Sequence, residues 1–451
     1  MIRWLVAFVL LFACSMPIEA GTIEDLKRSC HRANLSEGKH WLEECLEEIV
    51  TLKPVHPAFQ TIVPGTGLGF GIGADRIWRR ANEEYLPSGL IVGSPDGSVI
   101  VHGTFTIAFP SISLIHLPVS GGGAQPTNGK NRIALVVDPA DVDAKASVTF
   151  RSYWMDAKEQ KFYGIGPSSS LSGLAVYGLR QTGAGLAIND PLTSWLEAGL
   201  SADFISPRIA SVSNPSAPLL EQLYTPTSAP GLGVPSNFMR YEPYVRFRFK
   251  FPGHRTHFTD LKAGYAFYNE MGGSQFSFQR LSATSQTEYG IELPSVGTAS
   301  HRSALMNFVC PELRGARHCT LGTLTFLGHV SVAHTSATSE VPFYLQETLG
   351  GADIYGNDTL RGFVDYRFRG PSAMLFQAEF RHNVWGPFGF LAFYDLGRVS
   401  RSSSDLAFDH MRHDIGLGVT ISATDRVIMR IYVGFGTGEP IRPNYKFGGV
   451  L

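Results

Sequence analysis

The sequence predicts an all-β chain, an antiparallel transmembrane β-barrel that crosses its membrane with strands. Three observations carry this. Short segments alternate apolar and polar residues with period two, which gives a strand one apolar wall and one polar wall. Mean hydropathy is +0.01, and beyond the N-terminus no apolar run reaches the ~18 residues of a membrane helix. Charged residues are 17% of the 451, while glycines number 48 and aromatics reach 12%. Soluble domains carry ~25% charge. A soluble all-β protein would also alternate. The membrane barrel is the sharper reading, because its strands average their two faces to nearly zero hydropathy. The net charge of -1 gives no case for nucleic acid.

The chain starts with Met1-Ile2-Arg3, the apolar run Trp4–Cys14, and Ile18-Glu19-Ala20. This reads as a signal peptide over residues 1–20, cleaved after Ala20. Leu11-Phe12-Ala13-Cys14 also resembles a lipoprotein signal with Cys14 acylated, but Phe12 is bulky for that role. Residues 21–56 form the helical-looking part, a short periplasmic segment. Thr22 caps a first helix with Asp25 three residues on. After a turn at Asn34, Ser36 and Gly38, the residues Trp41, Leu42, Cys45, Leu46, Ile49 and Leu52 recur at helical spacing. Glu43, Glu44, Glu47 and Glu48 form a solvated face. Four cysteines remain, and an oxidising periplasm permits disulfides in any of three connectivities. The short loops they close favour Cys30–Cys45 and Cys310–Cys319. No C-x-x-C occurs, which speaks against a zinc or thioredoxin-like site.

Residues 57–451 read as the barrel. Gly69, Gly71 and Gly73 alternate with Leu68, Phe70 and Ile72, a strand with glycine facing inward. The run from Gly69 to Ala74 also fits a dinucleotide fingerprint, but no βαβ unit follows. Alternation continues in Val99–Phe109, Ser147–Trp154, Tyr244–Phe251, Leu321–His334, His413–Ser422 and Val427–Phe435, and Lys161–Gly166 opens a further strand. Ser120–Asn131 and the Pro- and Ser-rich 206–235 read as loops. Long loops are expected at the outer end and short turns at the periplasmic end. Within Tyr244–Phe251, Arg246, Arg248 and Lys250 share the polar face. Such cations suit the wall of a water-filled lumen, either balanced by acids elsewhere or conferring anion preference.

The most informative stretch is 349–399. Met374, Phe376, Ala378 and Phe380 of Ala373–Trp385 point one way, and Gln377, Glu379 and Arg381 the other. In Phe388–Val399, Phe390, Ala392, Tyr394 and Leu396 share a face opposite Asp395. Ahead of both lies Leu360-Arg361-Gly362-Phe363, in a Gly-, Asn- and Asp-rich stretch unsuited to a regular strand. Leu349-Gly350-Gly351, this Leu360–Phe363 motif, Ala378-Glu379-Phe380-Arg381 and Phe393-Tyr394-Asp395-Leu396-Gly397 follow in that order within about 50 residues. Together they resemble the C-terminal barrel of the BamA/TamA surface-antigen family, whose members assemble or translocate proteins at outer membranes. The resemblance implies about 16 strands. It also implies that Arg361 lies on a loop tucked inside the barrel, where it meets Glu379 and Asp395. Family members usually carry periplasmic repeats of roughly 75 residues, and residues 21–56 leave no room for one.

No G-x-S-x-G, H-E-x-x-H or Walker sequence is present, so no enzyme activity and no cofactor is expected. His410 and His413 beside Asp414 are read as ordinary turn residues. The expected function is insertion or translocation of proteins at the cell outer membrane through a gated seam between first and last strands. The expected partners are outer-membrane lipid and unfolded outer-membrane protein clients; the sequence names no accessory lipoprotein. A passive channel is the alternative.

Overall fold

The computed structural model describes residues 55–80, 83–109, 145–250, 257–293, 319–354, 356–385, 388–423 and 426–447, with only the backbone at Lys250, Cys319, Trp385, Phe447 and a few other strand-end residues. It is a nearly closed antiparallel barrel of 16 strands. In order these are β1 (Val55–Gln60), β2 (Gly69–Asp75) continuing as β3 (Trp78–Arg80), β4 (Glu83–Gly93), β5 (Val99–Phe109), β6 (Ala146–Phe162), β7 (Ala175–Pro191) and β8 (Leu196–Ala210). Then follow β9 (Asn237–Lys250), β10 (Phe258–Met271), β11 (Phe278–Leu293) and β12 (Cys319–His334). A small separate hairpin, β13 (Glu347–Leu349) and β14 (Phe368–Gly370), interrupts the series. The barrel resumes with β15 (Ser372–Trp385), β16 (Phe388–Ser400), β17 (Arg412–Ala423), β18 (Arg426–Gly436) and β19 (Arg442–Phe447). Segments β2 and β3 both pair with β4 and count as one strand.

Each strand pairs with the next around the wall. The terminal strands β1 and β19 lie side by side, but among the described residues no hydrogen-bonded ladder joins them. Six residues of each are described. Each also contains a proline, Pro57 or Pro443. Proline lacks an N–H for the ladder and is confined to sheet edges or irregular positions. An even strand number brings the start of β1 and the end of β19 to one end of the barrel.

Alternation sets what faces where. On β16, Leu391, Phe393 and Asp395 are buried inside, while Phe390 and Tyr394 are exposed outside. On β2, Phe70 and Ile72 are each 55% exposed and the glycines turn inward. On β17 and β18 the outward residues Ile415, Leu417, Val419, Ile431 and Phe435 are all exposed. An apolar outer face around a polar interior is the pattern of a membrane-spanning barrel. No helix among the described residues is long and apolar enough to cross a membrane.

Inside, near the end away from the termini, Phe162, Tyr177, Leu220, Phe238, Phe276 and Phe343 form a buried apolar cluster. It fills the mouth between the loops at 163–174, 211–236 and 335–346.

Several expectations need correction. Val55 and His56 belong to β1, not to the segment before the barrel. Lys161–Gly166 opens no strand: Lys161 and Phe162 end β6, and Gly164 and Gly166 have φ of +92° and +106°, which breaks extended backbone. Residues 206–210 end β8 rather than begin a loop. Long connections are not confined to one end: by strand order, 110–145 and 294–318 join strands at the end that holds the termini. The signal peptide, the helical segment, the loop at 120–131 and Cys30, Cys45 and Cys310 lie outside the described residues, as does the side chain of Cys319.

Candidate functional site

The segment between β13 and β14, residues 350–367, folds into the lumen as a compact loop. Gly350 has φ +115°, and a Cβ there would lie 2.4 Å from the Val364 carbonyl oxygen. Only glycine fits this turn. It lets the Gly351 N–H donate to the Leu360 carbonyl and the Gly350 N–H to Thr359 Oγ1, at 2.8 Å each. Leu349, Leu360, Phe363 and Phe368 are buried against Leu375 and Val399 of the inner wall. These apolar contacts anchor the loop; its polar edge does the rest.

Arg361 is 2% exposed. Its Nε and Nη2 donate to the two Asp395 oxygens at 2.8 and 2.7 Å, and its backbone N–H donates to the same carboxylate at 3.1 Å. Nη1 donates to Glu379. The guanidinium lies 3.8 Å from the centroid of the Phe393 ring, which Tyr432 braces edge-on. Two carboxylates and an aromatic face thus surround one cation, the geometry in which arginine binds best. Burial opposes the charge on Arg361, but Asp395 and Glu379 hold its pKa above the ordinary value. The structure therefore brings together the three residues Arg361, Glu379 and Asp395, with Leu360, Gly362 and Phe363 in the seat.

Sequence reasoning missed the other side of that seat. Gly362 lies against β17 and β18: a Cβ on Gly434 would sit 2.7 Å from Gly362 Cα and 2.8 Å from the Arg361 carbonyl oxygen. The period-two glycines at 416, 418, 434 and 436 were a visible signal of a wall shaped for close backbone approach. Asp414, buried, stands directly across from Asp395. His413 is exposed on the opposite face of β17, so His413 and Asp414 do not converge. Asp358 was also missed. It pairs with Lys446 of β19 at 2.8 Å and with Arg430 of β18 at 3.3 Å. Burial pushes the Asp358 carboxyl up, yet Lys446, Arg361 and Arg430 together hold it below its usual range.

Arg246 and Arg248 face the lumen, each paired with acids. Arg246 forks onto Asp260 through Nε and Nη2, and Arg248 lies 3.5 Å from both Glu197 and Asp260. Farther along, Arg151 and Arg240 share Asp203. Around these two cations the wall is charge-paired rather than an uncompensated positive face; the Lys250 side chain lies outside the described residues. At the mouth, three arginines hold the loop after β6 by its carbonyls. Arg401 donates to Ile165, Arg412 to Pro167 and Arg367 to Ser169. The chain distances here exceed 190 residues, too far for any local motif to announce.

No family model matches the sequence, and no curated protein matches it. Among solved structures, BamA from Haemophilus ducreyi lacking POTRA domains 1–3 is similar over 87% of this chain and 70% of that one, at 10% identity and a TM-score of 0.49. CdiB from Escherichia coli is similar over 87% of this chain and 62% of that one, at 11% identity and a TM-score of 0.48. OprD from Pseudomonas aeruginosa is similar over 84% and 90%, at 10% identity and a TM-score of 0.31. At such identities these are likenesses of fold alone.

Proposed function

We propose that the chain is an outer-membrane barrel that helps insert or translocate proteins through a gated seam between β1 and β19. The observation that carries this reading is the seam itself. Two proline-containing strands lie side by side without a ladder among the described residues. A strand edge in lipid is a template for another strand, because each backbone group left without a partner there costs several kcal/mol. A client strand would pair with β19 by β-augmentation. The lumenal loop held by Arg361 stands beside that seam and would gate it. The work is non-covalent, needs no cofactor and involves no nucleic acid. The partners would be the surrounding lipid and unfolded outer-membrane proteins.

The test is photo-crosslinking in cells from a probe at Tyr445, which is exposed on the outer side of β19, with a lumen-facing control at Arg430. Crosslinks from residue 445 to outer-membrane proteins during their assembly are the expected result. Crosslinks only within the chain, to β1 or β2, would overturn it. They would favour a passive channel, a reading supported by the charged lumen wall around Arg246, Asp260 and Asp203.

A further inference from the structure

We infer that Asp358 is a positioning residue, the catch by which the lumenal loop holds the last strand in place. The carboxylate adds to the holds that strand β19 has from its neighbour. Among the described residues the strand pairs with β18 over six positions, Met429–Phe447 to Gly434–Arg442, and Pro443 lacks a backbone donor. Two described inward side chains, Asn444 and Lys446, reach the loop. Asn444 Nδ2 donates to the Arg361 carbonyl at 3.4 Å, a long bond. Lys446 Nζ donates to Asp358 Oδ1 at 2.8 Å. The other oxygen of the same carboxylate accepts from Arg430 Nη1 of β18 at 3.3 Å.

One carboxylate therefore bridges the last two strands of the wall. It is itself fixed by the loop: residue 358 bridges back to Ala352, and the next residue, Thr359, accepts from the Gly350 N–H. Arg430 also lies 3.6 Å from Glu379, so the catch joins the Arg361 network. In consequence, the loop cannot leave its seat without releasing Lys446, and β19 cannot swing out without breaking the pair from its own side. Removing the carboxylate leaves the β18–β19 ladder intact but takes away the strand's one charge-assisted side-chain bond to the loop among the described residues. Its biological meaning rests on the seam reading; its geometry does not.

The test is hydrogen–deuterium exchange of the full chain in lipid nanodiscs, comparing wild type with Asp358→Asn and, separately, Lys446→Met. Both variants keep a side chain of similar size. Local opening sets the exchange rate of such amides, and a lost charge-assisted hydrogen bond corresponds to about a tenfold increase. The expected result is about tenfold faster exchange for residues 442–447 in either variant, no further gain in the double variant, and unchanged exchange in β12. Unchanged exchange at 442–447 in both single variants would overturn the inference. So would acceleration throughout the barrel in both, which would make Asp358 a general stabiliser. Release of β19 without client crosslinks from residue 445 would leave the catch standing and remove the seam function. Client crosslinks with no release would do the opposite.

Discussion

Arg361→Ala tests the arrangement most severely. The side chain is 2% exposed and Asp395 is fully buried. The substitution removes two bonds to Asp395, one to Glu379 and the stacking on Phe393. Glu379 keeps Arg381 at 3.4 Å and Arg430 at 3.6 Å, so its loss is small. Asp395 keeps the residue 361 N–H at 3.1 Å and Gln377 Nε2 at 3.2 Å, with the Asp414 side chain still across from it. Breaking a buried ion pair by removing one partner costs ~3–5 kcal/mol. The two surviving bonds bring the expected loss to about 3 kcal/mol, with about 1 kcal/mol more from the lost ring contact. Urea titration of the barrel in lipid vesicles, followed by its heat-modifiable gel mobility, measures this. Glu379→Gln should cost only about 1 kcal/mol. Arg361→Met with Asp395→Leu should recover most of the single-variant loss, since it leaves no charge stranded. A loss below about 1 kcal/mol in Arg361→Ala would refute the reasoning, because burial of Asp395 could then not be what the arginine compensates.

Three further outcomes follow from particular contacts. Gly434→Ala puts a methyl 2.7 Å from Gly362 Cα; backbone must shift, at ~1–3 kcal/mol, and protease should then cut within 350–367 faster than in wild type. Glu347 is pushed up by burial but pulled down further by Arg280, then His329, to about 2 from an ordinary 4.5. A depressed carboxyl adds stability above its unfolded-state pKa and loses it as pH falls through the folded value. The urea midpoint should therefore drop between pH 4.5 and about 2, and Glu347→Gln should flatten that drop. Arg246→Ala removes the nearer of the two cations on Asp260, which keeps Arg248 at 3.5 Å; stability should change by no more than about 1 kcal/mol. The zero-current potential under a salt gradient should shift toward cations, and a shift toward anions would contradict the balanced wall.

The sequence by itself determined the class of fold and the sidedness of the wall. Period-two alternation is a local property of extended backbone, so Glu379 and Asp395 could be put on inward faces without knowing what they meet. Strand Val99–Phe109 is legible to the residue, because its apolar contrast is high. Strands β7, β8, β10 and β11 are less legible: small and hydroxyl residues such as Ala184, Gly199, Ala263, Ser285 and Thr287 blur the contrast between faces. What Arg361 meets came from a family resemblance in the order of four motifs, since residues 18 and 34 positions apart share no local periodicity.

Only the tertiary structure decided the rest. A barrel closes a chain on itself, so contacts form between residues that no local rule relates. Asp358 reaches Lys446 across 88 positions, and Arg412 reaches Pro167 across 245. Whether Arg246 and Arg248 are balanced could not be read in their own strand, because the acids they pair with, Asp260 and Glu197, stand on the neighbouring strands. His413 and Asp414 are adjacent in sequence yet face opposite sides of the wall, since successive residues of a strand must diverge.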